Sequence, residues 1–138
     1  MPESCSSNGK LVLPSVLTEL EKVDGLTLEC AKGAGLNESD SMMVAIAVIE
    51  AVTNAIVHGN KFADDKYVTL QFDCEPGRVG VTVHDEGEGF DLSCVWDPTS
   101  PENQMECSGR GIYIMREVMD SVEFDMSDGT TVTMTKAF

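Results

Sequence analysis

Residues 42–57 are apolar on nearly every side. A helix with that pattern has no face left to give to water, so it has to lie inside a fold. Asn37 precedes the run, with Asp40 or Ser41 available to cap it. No apolar run is expected to reach the length of a membrane span, so the helix reads as the core of a soluble domain with no membrane partner. Its far end carries Glu50, Asn54 and His58 at i, i+4 and i+8, which puts three polar groups on one face. Two readings stay open at this point. The plain one is an exposed stripe at a helix end. The functional one rests on the kinds of residue: an amide oxygen is a hard ligand suited to Mg²⁺, and a carboxylate one turn earlier can take a proton from an incoming hydroxyl or water.

The remainder of the chain has to cover that helix. With 138 residues, 42% of them hydrophobic, a single domain over 1–138 is expected, its polar residues 1–9 flexible. Residues 10–14 read as a short strand halted by Pro14, after which Ser15 offers an N-cap to a helix carrying Val16, Leu17, Leu20 and Val23. Residues 24–35 mix Gly25, Gly33 and Gly35 with apolar residues, and the helix can continue or break there. Residues 67–72 and 79–84 are β-rich and flank Glu75-Pro76-Gly77, the pattern of an antiparallel hairpin. Residues 91–108 hold Pro98 and Pro101 with little periodicity, and a loop of that length in a small domain reads as a lid. A helical pattern over 111–119 and a last hairpin over 122–126 and 130–135 close the chain. The expected fold is α+β, a two-layer sandwich: a mixed, mostly antiparallel sheet of about five strands covered on one face by about three helices.

Charge and cysteines exclude several functions. The formal net charge is −15, and the nine Lys and Arg are scattered, so direct nucleic-acid binding, which needs clustered cations, is not expected. Cys5, Cys30, Cys74, Cys94 and Cys107 form no CxxC pair, and only two histidines could join them, so reduced structural thiols fit better than a zinc site. The N-terminus lacks a basic stretch followed by an apolar one, and a cytoplasmic location is expected.

Two further clusters carry chemistry. Asp85-Glu86-Gly87-Glu88-Gly89-Phe90 follows a predicted strand directly. It can be a plain acidic turn. It can also be a carboxylate at a strand end that accepts a hydrogen bond from an exocyclic amine such as adenine's, with the glycines letting a flat ring approach the backbone. Ser108-Gly109-Arg110-Gly111-Ile112 begins a predicted helix, where free N–H groups and the dipole favour a phosphate. Glycine there can equally be punctuation. The segment has no GxxxxGK[ST] pattern and no βαβ unit around it, which excludes a P-loop and a Rossmann site.

Taken in order, EAVTNAIVHGN (50–60), DEGEGFD (85–91) and SGRGIYIM (108–115), ending in GTTVTMTK (129–136), resemble the N, G1 and G2 boxes and final strand of the Bergerat ATP-binding fold shared by gyrases, heat-shock chaperones and histidine kinases. The resemblance covers about residues 10–138. With DPTSPEN (97–103) before the last glycine box, the chain is similar in particular to the stand-alone bacterial anti-sigma-factor serine kinases.

The resemblance implies ATP and Mg²⁺ as cofactors, with Glu50 as the catalytic base or polarising carboxylate and Asn54 as the metal ligand. Asp85, assisted by Thr130, would read adenine, with Gly87 and Gly89 as the floor of its pocket. Gly109, Arg110, Gly111 and Ile112 would offer backbone amides to the phosphates, and His58 would fall in the nucleotide site by its place in the first box. It implies transfer of a phosphate to a serine or threonine of an anti-anti-sigma protein, alternating with sequestration of a sigma factor, and leaves a homodimer open. The chain departs from a well-charged phosphate site in one respect: there is no Lys or Arg between Phe90 and Gly109, so Mg²⁺, Arg110 or a partner has to neutralise the transferred phosphate. The alternative is a nucleotide-gated protein-binding regulator without significant phosphotransfer. A two-component histidine kinase is disfavoured because both histidines, His58 and His84, fall inside the ATP domain.

Overall fold

The structure, a computed structural model, describes residues 9–87 and 109–138. Residues 1–8 of the expected flexible N-terminus, Gly89 and the expected lid at 91–108 lie outside the described residues.

Alternation builds the sheet. In β2 (Tyr67–Glu75), Val68, Leu70, Phe72 and Cys74 are buried, and the residues between them face outward. The same period places Val79, Val81, Val83 and Asp85 inward on β3 (Arg78–Asp85), and Thr130, Val132 and Met134 inward on β5 (Thr130–Ala137). The strands, with β1 (Lys10–Pro14) and β4 (Ser121–Asp125) at the edges, lie in the order β1-β2-β3-β5-β4. Register aligns Leu11, Leu70, Val83, Val132 and Phe124 in one row and Phe72, Val81, Met134 and Val122 in the next. Asp85 and Thr130 pair with each other beyond the apolar rows, at the end of the inward face. Among the described residues all four strand pairings are antiparallel, so the sheet expected to be mostly antiparallel has no parallel pair there: β5 returns from α3 and β4 running against β3.

Three helices are described: α1 (Leu20–Gly33), α2 (Glu38–Asn54) and α3 (Gly109–Val118). The apolar run forms α2, packed between α1 and α3 with Val44, Ala47, Val48, Ala51 and Val52 in the core. Asn37 is its N-cap, accepting the Asp40 N–H at 2.7 Å, in place of the caps expected at Asp40 or Ser41. Ser15 is not a cap either. A short 3₁₀ turn (Leu17–Glu19) precedes α1, and the Ser15 hydroxyl instead donates to the Lys66 carbonyl at 2.6 Å. Gly25 does not break α1, which runs on to Gly33.

A π turn (Ala55–Gly59) extends α2, so that Glu38–Gly59 is a 22-residue stretch long and apolar enough to cross a membrane. That corrects the expectation that no run reaches this length. The apolar residues are used inside the domain, where 56% of the most apolar window is buried. Cys30 on α1 and Cys74 on β2 belong to the same core.

Candidate functional site

The site begins where α2 stops being α-helical. The Asn60 N–H donates to the Ala55 carbonyl at 2.7 Å, an i→i+5 bond, and the chain then turns through Lys61 and Phe62, both with positive φ (54° and 61°). This brings Gly59 against the end of β3. A Cβ on Gly59 would overlap the Asp85 carboxylate, and one on Gly87 would overlap the Gly59 carbonyl, so two loops distant in sequence meet backbone to backbone.

Asp85 is 2% exposed. Its Oδ1 accepts the Gly87 N–H at 2.8 Å and the Thr130 N–H at 3.3 Å. Burial pushes its carboxyl above the usual range, and those two N–H groups oppose the rise in part. The carboxylate faces a cavity whose walls include Asn54, Thr130, Val83, Met115 and Phe124. Asn54 and Thr130 are buried, and Asn54 Nδ2 and Thr130 Oγ1 find no hydrogen-bond partner among the described residues. Orphaned buried polar atoms are costly, and native folds rarely keep them without a use.

One turn before Asn54, Glu50 is half-buried. The first turn of α3 lies against both: a Cβ on Gly111 would sit 2.8 Å from Glu50 Oε1 and 3.3 Å from Asn54 Nδ2. Residues 109–112 form that turn, whose N–H groups have no acceptor within the helix. The Ile112 side chain points the other way, into the core.

The expected residues therefore assemble in two linked groups. Asn54, Asp85 and Thr130 surround the cavity, with Gly87 on the carboxylate; Glu50 and Gly111 meet beside Asn54. His58 is half-buried in the π turn and is not one of the residues lining the cavity. Gly89 lies outside the described residues. Sequence reasoning gave no site role to Gly59, Asn60 or Glu86, and read Ser15 only as a helix cap. A polar HGN end on an apolar helix was the available signal, and it names no partner.

The histidine kinase-like ATPase domain family matches residues 13–136, from the end of β1 to the end of β5. The chain belongs to that family. Over 112 residues it is 35% identical to the serine-protein kinase RsbW of Bacillus licheniformis, spanning 77% of this chain and 70% of that one. Over 101 residues it is 41% identical to the anti-sigma F factor of Geobacillus stearothermophilus, spanning 69% and 68%. Among solved structures, the RsbU and RsbW domains of a Mycobacterium tuberculosis protein superpose with a TM-score of 0.65 at 16% identity, covering 95% of this chain and 32% of that one. The catalytic domain of histidine kinase ThkA gives 0.56 at 16%, covering 94% and 97%. Likeness at that identity is one of fold.

The residues fit the nucleotide that such a domain takes. A buried carboxylate with an orphaned hydroxyl beside it suits an exocyclic amine, and the amide of Asn54 lies near both that carboxylate and the first turn of α3.

Proposed function

We propose that this chain is an ATP-dependent protein serine kinase of the anti-sigma type, acting in the cytoplasm. It phosphorylates a serine or threonine of an anti-anti-sigma protein and, in alternation, sequesters a sigma factor. The observation that carries the reading is the junction at Asn54, where the cavity of Asp85 and Thr130 meets Glu50 across Gly111. The relatives called serine-protein kinase and anti-sigma factor support it.

Mg·ATP, when bound, supplies the phosphoryl group and the cation that offsets its charge. The chain supplies the rest. Asp85 accepts the base amine, Thr130 shares that recognition, and the Asn54 amide oxygen would hold the metal. The N–H groups of residues 109–112 receive phosphate oxygens, with Arg110 the cation nearest by sequence. Glu50, half-buried one turn from Asn54, takes the proton from the attacking hydroxyl.

The alternative, a nucleotide-gated binder without significant phosphotransfer, draws on the absence of Lys and Arg between Phe90 and Gly109. Incubation with radiolabelled Mg·ATP and candidate anti-anti-sigma proteins, followed by mass spectrometry to locate the phosphate, separates the two. Label on a partner serine or threonine is expected. No label on any partner that binds in a nucleotide-dependent way overturns the kinase reading in favour of the binder.

A further inference from the structure

The loop that presents Asp85 is held from behind by polar residues that the proposed chemistry does not use. Asn60 is 2% exposed. Its Oδ1 accepts the Glu86 N–H at 2.8 Å, and its Nδ2 donates to Ser15 Oγ at 3.0 Å. Ser15, 3% exposed, passes the chain of bonds on by donating to the Lys66 carbonyl at 2.6 Å. On the other side, the Glu86 carboxylate accepts the Tyr67 N–H at 2.7 Å. Four places in the fold are thereby tied together: the end of β1, the turn after α2, the start of β2 and the end of β3.

The point of attachment matters. The Glu86 N–H belongs to the peptide plane that starts at Asp85, so fixing that plane fixes the ψ angle of Asp85 and the direction in which its side chain leaves the backbone. The fold accepts an unfavourable backbone to put Asn60 there. Two successive non-glycine residues, Lys61 and Phe62, take left-handed angles directly after it, and the π turn directly before it shifts it out of the α-helical register. A buried amide could satisfy buried groups almost anywhere. This one grips the single peptide that aims the base-reading carboxylate.

We infer that Asn60, through its links to Ser15 and Glu86, is a positioning residue that sets the nucleobase selectivity of the site. The inference rests on the nucleotide-binding reading above. Asn60 need not touch the base. Hydrogen bonds weaken steeply when misdirected, so a carboxylate free to swing loses its preference for an amine over a carbonyl. In the proposed site the phosphates are received by the N–H groups of residues 109–112 and not through this peptide.

The test is titration calorimetry with Mg·ADP and Mg·IDP, two ligands that differ in whether the purine carries an amine or a carbonyl at position 6. Wild type should prefer ADP by about tenfold or more, the cost of facing a buried carboxylate with an acceptor. Asn60→Ala, shown to be folded by circular dichroism, should lose most of that preference while still binding both ligands. If it weakens both alike and keeps the wild-type ratio, its role is structural and the inference is overturned. Wild type that binds neither ligand overturns the nucleotide reading itself, and wild type that binds both equally overturns the base-reading role of Asp85 on which the inference rests.

Exposed Glu86 carries the test if Asn60→Ala does not fold. Glu86→Ala should lower the ADP preference, and Glu86→Gln, which keeps an oxygen for the Tyr67 N–H, should restore it. Equal ratios in wild type, Glu86→Ala and Glu86→Gln overturn the inference as well.

Discussion

Thr130 stands opposite Asp85 across the β3–β5 ladder and donates its backbone N–H to Asp85 Oδ1 at 3.3 Å, while its own buried hydroxyl has no partner among the described residues. Binding and stability are opposed at such a position. Thr130→Val keeps the shape and removes the orphaned hydroxyl, so the ligand-free domain should gain about 1 kcal/mol. That corresponds to a rise in melting temperature of about 3–5 °C for a chain of this size. Affinity for Mg·ADP should fall in the same variant. Differential scanning fluorimetry and calorimetry read the two effects, and a lower melting temperature would show that the hydroxyl stabilises the fold.

Asp85 sets a pH dependence whose sign follows from its burial. Desolvation raises its folded pKa above the ordinary 3.8, with the Gly87 and Thr130 N–H groups opposing. Between the ordinary and the raised value the folded chain holds a proton that the unfolded chain has lost, so this group's contribution to stability falls as pH rises through that window and is level above it. Asp85→Asn has no such titration. Its melting temperature relative to wild type should climb across the window and then stay constant. Its affinity for ATP and ADP should fall, because an amide can turn a donor toward the base amine. A pH-independent difference between variant and wild type would contradict the desolvation argument.

Asn54 can be separated from Asp85 by the metal. Asn54→Ala should weaken ATP binding in the presence of Mg²⁺ and much less in excess EDTA, since the amide oxygen acts on the cation. An identical loss in both conditions would remove Asn54 as the metal ligand.

Gly111 gives the closest test of how the two helices meet. A methyl group there falls 2.8 Å from Glu50 Oε1 and 3.3 Å from Asn54 Nδ2. The end of Glu50 can swing away, so Gly111→Ala should fold with little change in melting temperature. Phosphotransfer should drop by about 100-fold, the usual consequence of displacing a positioned group by about 1 Å. Unchanged turnover would show that the Glu50 carboxylate acts from another position.

The parts of this site that were legible in the sequence are those set by local period. Helical spacing placed Glu50 and Asn54 on one face, and alternation along β3 carried Asp85 inward with Val79, Val81 and Val83. What local period does not encode was missed or misread. Ala55, Ile56 and Val57 look the same in an α-helix as in a π turn. The i+8 spacing of His58 assumed 3.6 residues per turn throughout, and the wider turn shifts His58 from the stripe that Glu50 and Asn54 share. Ser15 obeys a capping rule in sequence, yet its partner is Lys66, and Asn60 reaches Glu86 at the end of β3. The direction of β5 against β3 depends on how the chain returns through α3 and β4, which no single segment records.

Glu50 decides between the kinase and the nucleotide-gated binder. It stands one turn before Asn54, half-buried, with its Oε1 beside the first turn of α3. Its proposed task is to accept the proton of the attacking hydroxyl, a contribution made in the transition state and not in nucleotide binding. Glu50→Ala should therefore keep most of the affinity for Mg·ATP and still bind its protein partner, and it should lose phosphotransfer by a factor of about 100 or more. Single-turnover assays with saturating Mg·ATP isolate that step from affinity. Phosphorylation at the wild-type rate would remove Glu50 from the chemistry. If wild type and variant alike transfer no phosphate while nucleotide still gates partner binding, Asn54, Asp85 and Thr130 serve a switch, and Glu50 is one more polar residue on the helix face beside them.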